Sequence, residues 1–378
     1  MEPFEIGLKN ALMPEKVLYI YEGKLTRHGI DAVVRQQLQA LGELGLHVDL
    51  VSRGNPGMPG ISFHGMKWTP ANALSWLPRS IYYPAQKRFF MALGARLAKR
   101  GEYSKIISWR DRALQSFRIG KKLGASCYLN HDSMHWSRST TDGAAPRWPA
   151  FSPEEMNEEY ALANAILLPS ENSCASFQGH GIPNEKLCVI GRGVDTDIYR
   201  PSPEARTDVF RLVFCGRVGE RKGIRQVVEA WKTAALQNAE LLVIGQVDDD
   251  IADLVEETRE SKIRWMGFRS DLAQILPTCH AQILLSRNEG MAKSLLEGAA
   301  CGLATIATID CGFPLKEGVN GFLVERTDAQ GVASLLKMLQ GNSSRCAEIG
   351  ENGRHTVVAE YSWAAFRRRF VNALKLSE

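Results

Sequence analysis

The 378-residue sequence has no apolar run close to the roughly 18 residues that a membrane span requires. Its opening stretch, MEPFEIGLKNALMPEK, carries charges from the second position and has no apolar segment of the kind a signal peptide needs. A cytoplasmic location is therefore the expectation. None of the eight cysteines (Cys127, Cys174, Cys188, Cys215, Cys279, Cys301, Cys311 and Cys346) forms a C-x-x-C pair. In a chain of this size they read as reduced and mostly buried, not as a disulfide framework. The loop after the first apolar run reads EGKLTRHG, without the G-x-G-x-x-G that lets a backbone approach a dinucleotide pyrophosphate. Nothing resembles a DNA- or RNA-binding motif, so no nucleic-acid partner is expected.

The composition is ordinary for a globular protein, and the length allows about two domains, each able to bury a core. The formal charge of +4 is small but unevenly spread. Residues 79–122 hold twelve Lys/Arg against two acids, Glu102 and Asp111. Two readings fit: solvated helix faces, or attraction to phosphates or an anionic membrane surface, which would make the protein peripheral at the inner face of a membrane.

Short apolar runs alternate with helical patterns throughout. VLYIY (17–21), HVDLVS (47–52), KIISW (105–109), SCYLN (126–130), AILLP (165–169) and LCVIG (187–191) form one block. RLVFCG (211–216), ELLVIG (240–245), IRWMGF (263–268), AQILLS (281–286), ATIAT (304–308) and GFLVE (321–325) form a second. Continuous apolar strands separated by amphipathic helices predict parallel sheets covered on both faces. The fold class expected is α/β, with two Rossmann-like doubly wound parallel-sheet domains; the family resemblance given below implies that they face across a cleft. The division expected is 1–195, a Pro-containing linker at 196–208, 209–361, and a C-terminal helix at 362–378 that packs back on the first domain. Residues 136–153, rich in Ser, Thr, Pro and Gly, read as a long loop.

The sharpest motif is SRNEGMAKSLLEGAACG (286–302), directly after an apolar strand. On one continuous helix, Glu289 and Glu297 would lie about 80° apart. With Glu289 in the preceding turn, both can face one cavity. Gly290 permits close ligand approach. The N–H groups from Met291, Ala292 and Lys293 to Ser294 would then point at an anion with a helix dipole behind them. In FCGRVGERKG (214–223), a strand ends at Gly216, and Arg217 and Lys222 follow. Two cations at a strand-to-helix turn suit a diphosphate. Each motif alone also reads as ordinary surface; both at successive strand ends of one sheet are harder to dismiss.

Two other clusters read more simply. Cys127, His131 and His135 have a spacing that could gather a metal on a helix, but they start in a strand and lack a fourth ligand. Asp248, Asp249 and Asp250 precede a helix and read as capping acids.

GRVGERKG, IGQ, MGF, SRNEGMAKSLLEGAACGLATIAT and EGVNGFLV follow, in order, a pattern that resembles the retaining family 4 (group 1 type) glycosyltransferases of GT-B fold. GRGVDTDIYRP (191–201) is similar to the family's linker signature, with Arg192 where Asn is usual. LLPSENSCASF (167–177) resembles its strand-then-Ser-Glu segment. The resemblance implies transfer of a sugar from a nucleotide-diphosphate donor, UDP slightly before GDP, with no metal or other cofactor. It implies that Arg217 and Lys222 neutralise the leaving diphosphate, that Glu297 binds ribose hydroxyls, and that Glu289 holds the transferred sugar. Backbone around Gly290 would bind phosphate or sugar, with Gly245 and Gly267 beside the base. His131, after a strand end, would lie close to the transferred sugar, with Asp132 placed to orient its imidazole. In the first half, His28-Gly29 stands where the family has a Gly-Gly loop; Gly29 can present its N–H to a phosphate, while His28 meets an acceptor or is an exposed loop histidine. The implied acceptor is a glycan or lipid-linked molecule of cell-surface polysaccharide or lipopolysaccharide synthesis. Two alternatives stay open: an epimerase acting on the nucleotide sugar, and a catalytically silent nucleotide-sugar binder.

Overall fold

The computed structural model describes residues 15–26, 28–65, 76–141, 152–202, 206–258 and 262–375. The chain forms two compact units. The first comprises residues up to 130 together with 150–164; the second comprises 131–149 with 165–376.

In the first unit, β1 (Lys16–Ile20), β2 (His47–Val51), β3 (Ile61–Phe63), β4 (Lys105–Trp109) and β5 (Ser126–Asn130) are parallel in the order β3-β2-β1-β4-β5. The order reverses direction between β1 and β4, the place where open α/β sheets leave a crevice at their carboxyl ends. Val17, Leu18, Ile106, Ile107 and Leu129 are buried, as strands covered on both faces require. β3 was not expected from the sequence. It is three half-buried residues in a Gly- and Pro-rich stretch, too short to show a period.

The second unit carries the parallel pair β6 (Ala165–Leu168) and β7 (Leu187–Val189). It also carries β8 (Phe210–Cys215), β9 (Ala239–Ile244), β10 (Ile263–Gly267), β11 (Ala281–Leu284), β12 (Ala304–Ala307) and β13 (Phe322–Leu323), ordered β10-β9-β8-β11-β12-β13. Every adjacent pair is parallel, and the order reverses between β8 and β11. The helix Ile224–Ala234 buries Ile224, Val227, Val228, Trp231 and Ala234, a 3.6-period stripe laid on this sheet. At the ends of β8 and β9 the backbones touch: a Cβ on Gly245 would fall 1.6 Å from the Gly216 carbonyl oxygen. Both glycines also have positive φ (141° and 148°), so the contact demands glycine twice. The last helix, Trp363–Lys375, is tied to the segment after β7 by Arg369, whose Nε donates to the Ile190 carbonyl at 2.9 Å.

The stretch expected as a loop at 136–153 begins instead with a helix, Trp136–Thr141. Residues 142–151 and 203–205 of the expected loop and linker lie outside the described residues. Ser152 and Glu155 then form a capping box that starts the helix Pro153–Leu162.

That helix delivers a buried acid to the first unit. Glu159 is 1% exposed and accepts the N–H groups of Asp111 (2.8 Å), Ala113 (2.8 Å) and Leu114 (3.1 Å). These are the free donors at the start of the helix Leu114–Lys122, which has no side-chain cap of its own. Burial pushes the Glu159 carboxyl up to about 7, against the pull of the three N–H groups. Because this pKa lies above the ordinary 4.5, the folded state holds the proton between the two values. The stability the group contributes therefore falls as pH rises from about 4.5 to about 7. Glu159→Gln would place an NH2 donor against one of these N–H groups. It is expected to lower unfolding free energy in urea by about 1–3 kcal/mol and to remove that pH slope; an unchanged midpoint and slope would contradict the role.

Candidate functional site

The carboxyl ends of β8 and β11 gather the charged residues. After β8, Gly216 leads into a turn, Glu220–Lys222, closed by Gly223 in the left-handed region (φ 78°). A Cβ on Gly223 would sit 2.2 Å from the Leu285 carbonyl oxygen, so the turn lies directly on the end of β11. Arg326 fastens it there, donating to the carbonyls of Leu285 (3.0 Å) and Glu220 (2.6 Å). The turn sends Lys222 back over the strand end, its Nζ 3.9 Å from where a Gly216 Cβ would be.

Lys222 Nζ meets Glu289 Oε1 at 2.6 Å. Arg221 Nη1 reaches the same oxygen at 2.5 Å, and the Ser286 hydroxyl donates to it at 3.1 Å. Arg221 also donates to the Asn288 carbonyl (2.6 Å), and the Glu289 N–H donates to the Asp310 carbonyl (2.8 Å). Burial pushes the Glu289 carboxyl up, but Lys222 and Arg221 outweigh it and hold the group below its ordinary value. It is a carboxylate at neutral pH.

Glu297, on the helix Lys293–Ala300, is 5% exposed. Its partners are Lys293 Nζ at 2.7 Å and the Tyr199 hydroxyl. Cys215 at the end of β8 lies within the electrostatic reach of Glu297, Lys222 and Lys293, and burial pushes its thiol up to about 12. The two glutamates therefore flank one strand end, each held by its own cations.

Arg217 goes elsewhere. Its Nε donates to both Asp248 oxygens, at 2.6 and 2.8 Å, and its side chain is 45% exposed. The acids at 248–250 do not cap the following turn with their side chains, as the sequence predicted. Asp248 instead holds Arg217, and Asp250 accepts the Glu220 N–H at 3.3 Å.

Of the N–H groups expected to be free at this turn, that of Ala292 has a partner within the chain. Met291 is buried in the core, and the Ala292 N–H donates to the Cys311 carbonyl at 2.9 Å. Gly290 does not adopt positive φ. A Cβ there would lie 2.1 Å from the Asp132 carbonyl oxygen, and its own carbonyl accepts the Ser170 hydroxyl at 2.5 Å. Glycine is needed at 290 because the chain's own backbone comes this close.

The same contact brings His131 near. His131 is 4% exposed, packs edge-on against Phe177 and has Nδ1 2.8 Å from the Ser133 carbonyl. The Ser133 N–H lies 3.3 Å from the same nitrogen, so the backbone two positions on holds the imidazole in place. His135 belongs to a separate stack with His180, 4.1 Å apart; burial and His180 press it down to about 4. Gly267 (φ 63°) ends β10 with open space around it. In the first unit, Gly29 (φ 57°) opens the helix Gly29–Glu43 with nothing near its Cβ position, and His28 is exposed.

Sequence reasoning missed Arg221, Tyr199 and Arg326. Arg221 stood between two glycines beside the chosen Lys222; its direction could not be read without the turn. A separate hollow of about 390 Å³ lies at the amino ends of β4 and β5, lined by Tyr103, Ile106 and Leu123, and touches none of the predicted site residues.

Residues 209–342, which hold the charged cluster, match the family model described as Glycosyl transferases group 1. Among solved structures, the chain is similar to sucrose-phosphate synthase from Thermosynechococcus elongatus, with a TM-score of 0.74, 20% identity and coverage of 96% of this chain and 98% of that one. It is also similar to Anabaena HepE in complex with UDP, with a TM-score of 0.72, 16% identity and coverage of 96% and 100%. The fold is GT-B. Among curated proteins, it is 27% identical over 208 residues to the putative glycosyltransferase EpsD of Bacillus subtilis, covering 53% of this chain and 54% of that protein. It is 26% identical over 189 residues to the lipopolysaccharide core biosynthesis glycosyltransferase LpsE of Rhizobium meliloti, covering 49% and 55%. The matches thus span about half the length of these relatives.

The geometry separates two kinds of site residue. Gly290→Ala forces a backbone shift and should cost about 1–3 kcal/mol of stability, whereas Arg217→Ala breaks an exposed pair and should change stability by about 0.5 kcal/mol or less. Equal thermal shifts in the two variants would contradict this packing.

Proposed function

We propose that this protein is a retaining, metal-independent glycosyltransferase that takes a nucleotide-diphosphate sugar, UDP-linked before GDP-linked. The observation that carries the reading is the cluster of Lys222, Arg221 and Glu289 at the switch point of the second sheet. It lies within the segment that matches the group 1 model.

In this reading the bond from the anomeric carbon to the diphosphate oxygen breaks with oxocarbenium character. Lys222 and Arg217 receive the charge that develops on the leaving diphosphate, as preorganised cations rather than a metal. To do so Lys222 exchanges Glu289 for phosphate oxygen, and Arg217 turns from Asp248. Glu289 is then free to accept hydrogen bonds from the transferred sugar, and Glu297 from the ribose. His131, its Nδ1 held by the Ser133 backbone, contributes its imidazole to binding the transferred sugar. The acceptor hydroxyl attacks the face the diphosphate leaves, and its proton goes to a leaving phosphate oxygen. Gly29 serves an acceptor phosphate in the N-terminal half. The acceptor is a glycan or lipid-linked intermediate of surface polysaccharide or lipopolysaccharide synthesis, the setting named for LpsE.

Membrane contact is part of the proposal, with a smaller set of residues than the sequence implied. Lys87 is buried beside Asp111 (3.5 Å) and Lys105 is buried beside Glu15 (3.0 Å). Arg112 pairs with Glu22 and Arg118 with Glu158. Arg88, Arg96, Lys99, Arg100, Lys121 and Lys122 are exposed, and no helix among the described residues is long and apolar enough to cross a membrane.

Incubation with a panel of nucleotide sugars should release free nucleotide diphosphate slowly and at the same rate in EDTA. A new nucleotide sugar would indicate an epimerase instead, and binding without turnover a silent protein. Glu289→Ala and Lys222→Ala should each lose at least ~10²-fold in turnover with unchanged circular dichroism; near-normal turnover in both places the chemistry elsewhere. Arg88, Arg96, Lys99 and Arg100 changed together to Gln should reduce sedimentation with anionic vesicles; equal sedimentation removes the membrane contact.

A further inference from the structure

Arg192 has no part in the donor chemistry above. It follows β7, and its Nη2 donates to the Asp132 carbonyl at 3.0 Å. That carbonyl is the one pressed against Gly290, 2.1 Å from a Cβ built there. The guanidinium therefore sits at the contact between the His131–Asp132 turn and the Glu289–Gly290 turn. It lies within the electrostatic reach of both Asp132 and Glu289. No carboxylate lies within ion-pair distance of it among the described residues, and the Asp132 carbonyl is its hydrogen-bond partner there.

The contrast with its neighbours is informative. Lys222 and Arg221 spend their charge on Glu289, Lys293 on Glu297, and Arg217 on Asp248. Arg192 is half-buried, so keeping it charged costs desolvation, which lowers its pKa despite Asp132 and Glu289. A neutral carbonyl returns little of that cost. A planar fork of donors held at one edge, with no further partner for its other N–H groups among the described residues, is the arrangement that recognises a carboxylate or phosphate bidentately.

We propose that Arg192 binds an oxyanion of the substrate other than the donor diphosphate, on the sugar side of Glu289. The two chemical sources are a carboxylate on the transferred sugar, as in a nucleotide-diphosphate uronic acid, and a phosphate on the acceptor. The inference rests on the glycosyltransferase reading and specifies its substrate class.

The test compares wild type, Arg192→Gln and Arg192→Lys in two assays. The first measures kcat/KM for hydrolysis of UDP-glucuronic acid against UDP-glucose, and of GDP-mannuronic acid against GDP-mannose. The second measures calorimetric binding of inorganic phosphate to protein saturated with UDP or GDP. If the sugar carries the anion, wild type prefers a uronate donor by at least ~10-fold, Arg192→Gln abolishes the preference while keeping the neutral donor's rate, and Arg192→Lys retains part of it. If the acceptor carries it, donors are not discriminated, and phosphate binding weakens by a similar factor in Arg192→Gln only. Unchanged donor ratios together with unchanged phosphate affinity overturn the proposal and leave the transferase reading intact. Failure of wild type to bind or turn over any nucleotide sugar removes the transferase reading and this inference with it.

Discussion

One oxygen of Glu289 accepts from Lys222, Arg221 and Ser286 at once, and the rest of the site is arranged around that contact. A carboxylate this buried would drift toward protonation; two cations keep it ionised. The same ion pairs hold the cations in place, because a buried charge left without its counterpart is far costlier than one that is paired. A ligand that takes Lys222 must supply as much negative charge as it displaces. A diphosphate does, and a neutral sugar alone does not. In the proposed function the internal pairs Lys222–Glu289, Arg217–Asp248 and Lys293–Glu297 stand in for a charged ligand and set a threshold on what can enter.

The backbone makes this possible through close approach. Gly216 and Gly245 let two strand ends touch, Gly223 lets the cation-bearing turn rest on the end of β11, and Gly290 lets the turn after β11 meet the segment beginning at His131. A methyl group added at Gly245, Gly223 or Gly290 would push apart backbones that touch there, while Gly216 is required by its positive φ. Arg326 then fixes the turn from a third element, through two carbonyls that would otherwise face the sheet edge. The positions of Lys222 and Glu289 are consequences of packing as much as of local sequence.

Much of this was legible before any coordinates. Twelve of the thirteen strands among the described residues were visible as short apolar runs bounded by turn residues; β3, short and half-buried, left no such trace. Glu289, Glu297 and Lys222 could be found because their spacing follows from strand-end geometry. Partners could not be found in the same way. Arg217 and Asp248 are 31 residues apart, and Arg221 turns toward Glu289 only because Gly223 reverses the chain. Gly290 was assigned to ligand approach when its neighbour is the Asp132 carbonyl, since a sequence shows that space is needed but not what fills it. Likewise the basic stretch at 79–122 looked uniform until burial divided it into structural pairs such as Lys87 with Asp111 and exposed cations such as Arg96 and Lys99.

In the proposed function a donor diphosphate replaces Glu289 as the partner of Lys222. A crystal structure with UDP or GDP bound tests it most directly. Pyrophosphate oxygens are expected within hydrogen-bond distance of Lys222 and Arg217, with the Lys222–Glu289 contact broken. A nucleotide bound elsewhere, or bound here with that ion pair intact, would contradict it.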